Sequence, residues 1–195
     1  MQSKRKNDIA AFRIAHAARP VVLFDLDGTL VETDAANTAA YRDAFRLHGL
    51  AGLPVRGGRV TRSCLRTGCP ALAEEDLRAL VAAKRSAYAG RLALTRLGPA
   101  AGALRRVLAR RDAFAKVVLL TESDARRAYE TLVFHGLADC FDEVACNGGR
   151  GDKYHNYLAR HDVDPAACLA YENETKKVLS ALSAGIRIEN IKKVA

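Results

Sequence analysis

Two carboxylates with a spacing suited to phosphoryl chemistry follow the first apolar run of the chain. Asp25 and Asp27 stand two residues apart, directly after the run 21–24, and Gly28 follows them. Residues two apart on a strand point to the same side, and glycine permits the sharp turn that must come next. One carboxylate can attack phosphorus, while the other protonates the leaving oxygen and then activates water. The pair therefore predicts phosphoryl transfer through an aspartyl-phosphate.

Three further groups of polar residues follow apolar runs or begin predicted helices. They are Thr121 with Ser123 and Asp124, Lys153 in Gly151-Asp152-Lys153, and Tyr171-Glu172-Asn173-Glu174. In open α/β sheets, ligands bind beyond the carboxyl ends of the strands. We therefore expect these groups to share one site with Asp25 and Asp27.

The elements that must position these residues alternate between helix and strand from residue 97 onward. Apolar runs predict buried strands at 21–24 and 116–121, and further strands at 143–146, at 168–172 and within 186–194. Helical spacing predicts helices after Gly98-Pro99 and at 124–135, 152–161 and 175–184. The alternation implies right-handed βαβ units, and so an α/β, Rossmann-like, mostly parallel sheet with helices on both faces.

Residues 34–96 interrupt this alternation. Helices are predicted at 34–48 and 73–89 with no strand of the sheet between them, which indicates a small helical insertion after the first strand. The loop region between the two helices carries four arginines, which are Arg56, Arg59, Arg62 and Arg66. These side chains could reach a second anionic group of a substrate, or they could be the exposed arginines of a basic protein.

The stretch Phe24-Asp25-Leu26-Asp27-Gly28-Thr29-Leu30 resembles the first motif of the HAD (haloacid dehalogenase-like) superfamily. The resemblance extends over about residues 20 to 192. The insertion matches the position of the C1 cap, a small helical lid of the phosphoglycolate-phosphatase and β-phosphoglucomutase-like branch. The resemblance thus implies an α/β core at 20–33 and 97–195, a cap at 34–96 and an N-terminal extension at 1–19.

The resemblance also implies roles for individual residues. Asp25 would be the nucleophile and Asp27 the acid and then the base, which favours a phosphatase or phosphomutase over a dehalogenase. Thr121 would hold a phosphoryl oxygen, and Lys153 would neutralise the nucleophile and the phosphate. The residues expected to bind substrate are Gly28, Thr29, Glu122, Ser123, Arg59 and Arg62.

The same resemblance implies a Mg²⁺ site at the end of the strand 168–172. Its ligands would be Asp25, the main-chain carbonyl of Asp27, Glu172 and Asn173, with Glu174 as a further candidate. Asn173 stands where the family commonly has Asp, so the chain departs from the pattern there. An Asn can ligate through its carbonyl oxygen but brings no negative charge.

The sequence therefore predicts a Mg²⁺-dependent phosphohydrolase that acts on a small phosphorylated metabolite. A phosphomutase of the same fold is one alternative. A catalytically weak HAD-like binding or regulatory protein is another, and Asn173 motivates it. Nucleic-acid processing would rest on the net charge of +9 alone. We do not expect it, because the Lys and Arg residues are scattered and most pairs, such as Arg126-Arg127, lie on predicted helices as solvated faces.

Composition sets further limits. About half of the 195 residues are hydrophobic, which is enough for a sizeable core. The five cysteines form no CxxC pair, and their odd number and scatter favour a reducing cytoplasm over a secreted disulfide scaffold. We expect no signal peptide, since the basic N-terminus lacks an apolar stretch, and no membrane partner, since no apolar run could span a bilayer.

Overall fold

The computed structural model describes residues 19–53 and 60–194, except for the side chain of Arg62. Residues 1–18 of the predicted N-terminal extension, together with Arg56 and Arg59, lie outside this part of the chain. The described residues form two compact units: one runs up to Leu30 and resumes at Gly98, and the other spans Val31–Leu97. The predicted cap at 34–96 falls within the second unit, and its role as a cap stays a prediction.

The elements alternate in the order that the sequence predicts for the first unit. In chain order they are β1 Val21–Phe24, β2 Val31–Glu32, α1 Asp34–Leu47, α2 Arg62–Gly68, α3 Glu74–Tyr88, β3 Arg96–Leu97, α4 Ala101–Leu108, β4 Lys116–Thr121, α5 Ala125–Phe134, β5 Glu143–Cys146, α6 Lys153–His161, β6 Cys168–Glu172, α7 Thr175–Ser183 and β7 Ile191–Lys193. The predicted bounds of β4, β5 and β6 are confirmed to the residue.

A five-stranded parallel sheet forms the centre of the first unit, in the order β5-β4-β1-β6-β7. Strand β1 is central, with Phe24 opposite Leu119 of β4 and opposite Tyr171 of β6. Strands covered on both faces read as continuous apolar runs, and the last three residues of β1 are fully buried. Because β4, β1 and β6 are neighbours and parallel, their carboxyl ends meet at one edge of the sheet.

Helices α5 and α6 follow β4 and β5 at that same edge, and an acidic residue caps the start of each helix. Asp124 accepts a hydrogen bond from the N–H of Arg127 over 3.0 Å. Asp152 accepts from the N–H groups of Tyr154 over 2.9 Å and His155 over 3.1 Å. A side-chain acceptor at this position satisfies N–H groups that the helix leaves open. The first turns of both helices are thereby fixed next to the strand ends.

The second unit is mainly helical. Strands β2 and β3 pair antiparallel, with Val31 opposite Leu97. Helices α1, α2 and α3 share a core whose buried members are Tyr41, Ala44, Phe45, Val60, Leu65, Leu77 and Leu80. No described helix has the length and apolar character that crossing a bilayer requires.

Helix α2 corrects the interpretation of Arg62 and Arg66 as loop residues. Both lie on this seven-residue helix, which begins after Thr61, where the Thr61 hydroxyl accepts from the N–H of Cys64 over 3.1 Å. The helix buries Leu65 completely. One apolar anchor in a segment this short leaves no periodic pattern, which is why the sequence did not indicate a helix.

Candidate active site

Asp25 follows the central strand directly, and its N–H donates to the carbonyl of Tyr171 over 3.1 Å. This bond extends the β1–β6 pairing by one residue, so the backbone of Asp25 is part of the sheet. The side chain is buried, and its Oδ2 atom lies 3.1 Å from the hydroxyl of Thr29. The candidate nucleophile is therefore held on a rigid element.

Lys153 joins two of the predicted site carboxylates. Its Nζ lies 2.7 Å from Asp25 Oδ1 and 2.5 Å from Glu172 Oε1, and it also donates to the carbonyl of Leu120 over 3.1 Å. The lysine side chain is only 1% exposed. Solvent therefore screens these ion pairs weakly, and the ammonium is fixed by oxygens from three strands.

The two carboxylates share this one ammonium, which sets their protonation equilibria. Burial raises the pKa of Asp25, and the charge of Asp27 adds to that, while Lys153 opposes both. Burial and the charge of Asp25 raise the pKa of Glu172 to about 7. For Lys153 burial works in the other direction, but Asp25 and Glu172 outweigh it and raise the pKa above its ordinary value. The lysine therefore stays protonated, and each of the two acids holds a proton more readily than a free carboxyl group does.

Asp27 has separate partners at the start of α5. Arg127 donates to both of its oxygens, with Nη1 3.1 Å from Oδ2, and the Ser123 hydroxyl donates to Oδ2 over 2.6 Å. Arg127 also donates to the Ser123 hydroxyl oxygen. The carboxylates of the site are therefore paired with different cations: Lys153 contacts Asp25 and Glu172, while Arg127 contacts Asp27.

Gly28 and Asn173 approach each other closely. Gly28 has φ +77°, and a Cβ at this position would lie 2.2 Å from Asn173 Nδ2. The Oδ1 atom of Asn173 lies 3.2 Å from the hydroxyl of Thr29. Glycine is therefore required here for both its backbone conformation and the space that it leaves.

Thr121 ends β4 fully buried, and its Oγ1 accepts from the N–H of Ser123 over 3.1 Å. The next residue, Glu122, is half-exposed and forms an ion pair with Lys177 in the first turn of α7. Thr121 and Ser123 thus lie in the same hydrogen-bonded network as Asp27. The roles of these residues in binding substrate stay predictions.

Three participants escaped the sequence analysis: Arg127, Tyr154 and Lys177. The interpretation of Arg126-Arg127 as a solvated pair is correct for Arg126, which is 80% exposed, and wrong for Arg127, which is 12% exposed. The position of Arg127 in the sequence could have indicated its place in the site, because it lies one helical turn after Ser123. Tyr154 follows Lys153 directly, and its hydroxyl donates to Glu172 Oε1 over 3.0 Å.

The oxygen donors at this edge fit a hard divalent cation. Glu172 Oε2 is buried and has no hydrogen-bond partner within the described ranges, whereas Oε1 accepts from Lys153 and Tyr154. No cluster of three or more His, Cys, Asp or Glu side chains suited to a metal occurs in residues 19–53 and 60–194. A donor set of one or two carboxylates, with carbonyls and waters, suits Mg²⁺, which usually keeps several waters.

The chain matches no family model and no curated protein. Among solved structures, it is similar to a haloacid dehalogenase-like hydrolase from Streptococcus pneumoniae, at 23% identity and TM-score 0.67 over 86% of this chain and 82% of that one. It is also similar to CbbY from Rhodobacter sphaeroides in complex with phosphate, at 21% identity and TM-score 0.68 over 87% and 84%.

A candidate β-phosphoglucomutase from Thermotoga maritima is 26% identical, with TM-score 0.63 over 90% of this chain and 85% of that one. These matches each cover 86–90% of this chain and therefore include residues of both units. They confirm the fold class and the resemblance drawn from the motifs. The chain has the fold of the HAD-like hydrolases.

Proposed function

We propose that this chain is a phosphoric monoester hydrolase that acts on a small phosphorylated metabolite through an aspartyl-phosphate. The observation that carries this proposal is the buried ion pair between Lys153 and Asp25, with Asp27 held separately by Arg127 and Ser123. One carboxylate is thus placed beside a cation that can also meet a phosphoryl group, and a second is available for proton transfer. The fold shared with hydrolases supports the same conclusion.

Each residue has a distinct task in this reaction. An Asp25 oxygen forms a bond to phosphorus while the bond from phosphorus to the ester oxygen breaks. In the pairing described above Asp27 is a carboxylate, so it must take up a proton before this step. It gives that proton to the leaving oxygen, and then takes a proton from the water that attacks the phosphorylated Asp25. Lys153 and Thr121 hold the phosphoryl oxygens and compensate their charge, which is the main source of catalysis in phosphoryl transfer.

We propose Mg²⁺ as the cofactor, held by Asp25, the main-chain carbonyl of Asp27, Glu172 and Asn173. When bound, it would neutralise charge on the transferring group. The unpaired Glu172 Oε2 atom supports this assignment. Arg59 and Arg62 remain candidates for binding a second anionic group of the substrate.

Two of the similar structures support the proposed substrate class. CbbY is described in complex with phosphate, and a variant of it with xylulose-1,5-bisphosphate.

None of the five cysteines, all of which lie in the described ranges, forms a disulfide. This supports a location in the reducing cytoplasm, where phosphorylated metabolites occur.

Turnover of 4-nitrophenyl phosphate in Mg²⁺ tests the proposal. We expect Asp25→Asn to abolish turnover, because an amide oxygen cannot form the acyl phosphate. The matched control is Asp139→Asn, which makes the same change at an exposed residue. Equal rates for wild type and Asp25→Asn would exclude Asp25 as the nucleophile.

A second candidate function is a catalytically weak HAD-like binding protein, which Asn173 favours because it replaces a charged ligand by a neutral one. Calorimetric titration with Mg²⁺ in the presence of phosphate separates the two. A hydrolase binds the ion, whereas failure to bind it would favour the second candidate. Analysis of the products from a sugar phosphate would distinguish hydrolysis from a phosphomutase reaction.

A further inference from the structure

Arg127 meets Asp27 through both terminal nitrogens of its guanidinium. The planar fork of arginine matches the two oxygens of a carboxylate, so this pairing fixes the plane of the carboxylate as well as its position. The Ser123 hydroxyl bridges the two side chains, since it donates to Asp27 Oδ2 and accepts from Arg127 Nη1. Asp27 is therefore held from two directions.

We propose that Arg127 is a positioning residue that holds the carboxylate of Asp27 in the orientation needed for proton transfer to and from the reacting oxygens. The inference rests on the proposed function, because that function assigns proton transfer to Asp27. Proton transfer requires hydrogen-bond distance and direction, and a displacement of about 1 Å can lower a rate roughly a hundredfold.

Arg127 is itself anchored, as a positioning residue must be. Its N–H donates to the capping carboxylate of Asp124 over 3.0 Å, and its carbonyl accepts from the Thr131 hydroxyl over 2.8 Å. The side chain is 12% exposed, so water screens the ion pair with Asp27 only weakly. Arg127, in the first turn of helix α5, thus fixes the position of Asp27 in the turn after β1, although 100 residues separate the two in sequence.

The neighbouring Arg126 has none of these properties. It is 80% exposed and pairs with Glu130 on its own helix, with Nε 2.8 Å from Oε1. Consecutive residues of a helix point about 100° apart, which explains why one arginine meets the site and the other meets solvent. Arg126 therefore provides a control of the same residue type on the same helix turn.

Steady-state kinetics with two aryl phosphates test the proposal. Phenyl phosphate releases a more basic oxygen than 4-nitrophenyl phosphate does, so it depends more on protonation by Asp27. We expect Arg127→Gln to lower kcat for phenyl phosphate by roughly 10 to 100-fold, to lower kcat for 4-nitrophenyl phosphate less, and to change KM by less than about threefold. Arg127→Lys should recover part of the loss, and Arg126→Gln should behave like the wild type.

Three results would overturn the proposal: an unchanged kcat for phenyl phosphate in Arg127→Gln, equal losses for both substrates, or no recovery in Arg127→Lys. If the wild type hydrolyses neither substrate, the proposed function fails and the role in proton transfer fails with it. The crystal structure of Arg127→Gln then tests separately whether Arg127 orients the Asp27 carboxylate. A rotated or disordered Asp27 carboxylate supports it. An Asp27 carboxylate that keeps its orientation contradicts it.

Discussion

Lys153 Nζ lies 2.7 Å from Asp25 Oδ1, although 128 residues separate the two in sequence. The order of the elements makes this contact possible. After β1 the chain forms the neighbouring strands β4 and β5, and it then enters α6, whose first residue is Lys153. The contact is buried at both ends, at 1% and 11% side-chain exposure. The ion pair between Lys153 and Asp25 therefore contributes to the stability of the first unit as well as to the candidate active site.

Removing that lysine should destabilise the protein. Lys153→Met leaves Asp25 and Glu172 buried without their shared cation, and breaking a buried ion pair from one side costs about 3–5 kcal/mol. Urea unfolding in the presence of a chelator measures this loss. Lys116→Met is the matched control, since Lys116 pairs with Glu143 at a half-exposed site and should cost less than about 1 kcal/mol. Equal costs for the two variants would contradict the burial of the Lys153 pair.

Gly28 should tolerate alanine poorly. Gly28→Ala places a Cβ against Asn173 Nδ2 in a backbone conformation with positive φ, and we expect a loss of roughly 1–3 kcal/mol in the free energy of unfolding. Gly136→Ala is the control, because Gly136 has φ +66° and open space around it, so it reports the backbone cost alone. Denaturant titration of both variants gives the additional loss in the free energy of unfolding that the contact with Asn173 causes. No difference would mean that Asn173 does not approach Gly28.

Asn173→Asp should strengthen the binding of Mg²⁺. The change supplies a charged ligand in place of a neutral one, and the affinity should rise roughly tenfold by calorimetry, because ligand charge tunes such sites. Asn147→Asp adds the same charge after β5, three strands away from β6, and should leave the affinity nearly unchanged. If both variants respond alike, Asn173 is not a ligand of the metal.

Asp152 should stabilise α6 in a pH-dependent manner. Burial works against its charge, but hydrogen bonds from Ser180 and from the N–H groups of His155 and Tyr154 outweigh that and lower its pKa. A depressed pKa gives stability that is present above the unfolded pKa and is lost as the pH falls through the folded pKa. Wild type should therefore exceed Asp152→Asn in unfolding free energy at about pH 6, and the difference should shrink toward about pH 3. A difference that does not vary with pH would contradict this role.

The sequence predicts some parts of this fold well for a physical reason. Strands β4 and β6 coincide with their apolar runs, because a strand of a parallel sheet that is covered on both faces needs such a run. The strand order then brings Asp25, Thr121 and Glu172 to one edge of the sheet, as their positions at the ends of their strands predict. For these three residues, the local sequence pattern predicts the position that the tertiary structure gives them.

Other features depend on contacts that no local pattern encodes. Arg127 pairs with Asp27 across 100 residues, and adjacent Arg126 has the same residue type with the opposite exposure. The two-residue strands β2 and β3 and the short helix α2 are fixed by packing within their unit, and each is too short for a period to be recognised.

Mass spectrometry of the acid-quenched protein after mixing with a phosphate ester tests the nucleophilic role of Asp25 most directly. Acyl phosphates survive acid and are cleaved by hydroxylamine. We predict a hydroxylamine-sensitive phosphoryl group on the peptide that contains Asp25, in wild type and not in Asp25→Asn. Turnover without a phosphoryl group on that peptide, or with one attached to a different residue, would contradict the assignment of Asp25 as the nucleophile.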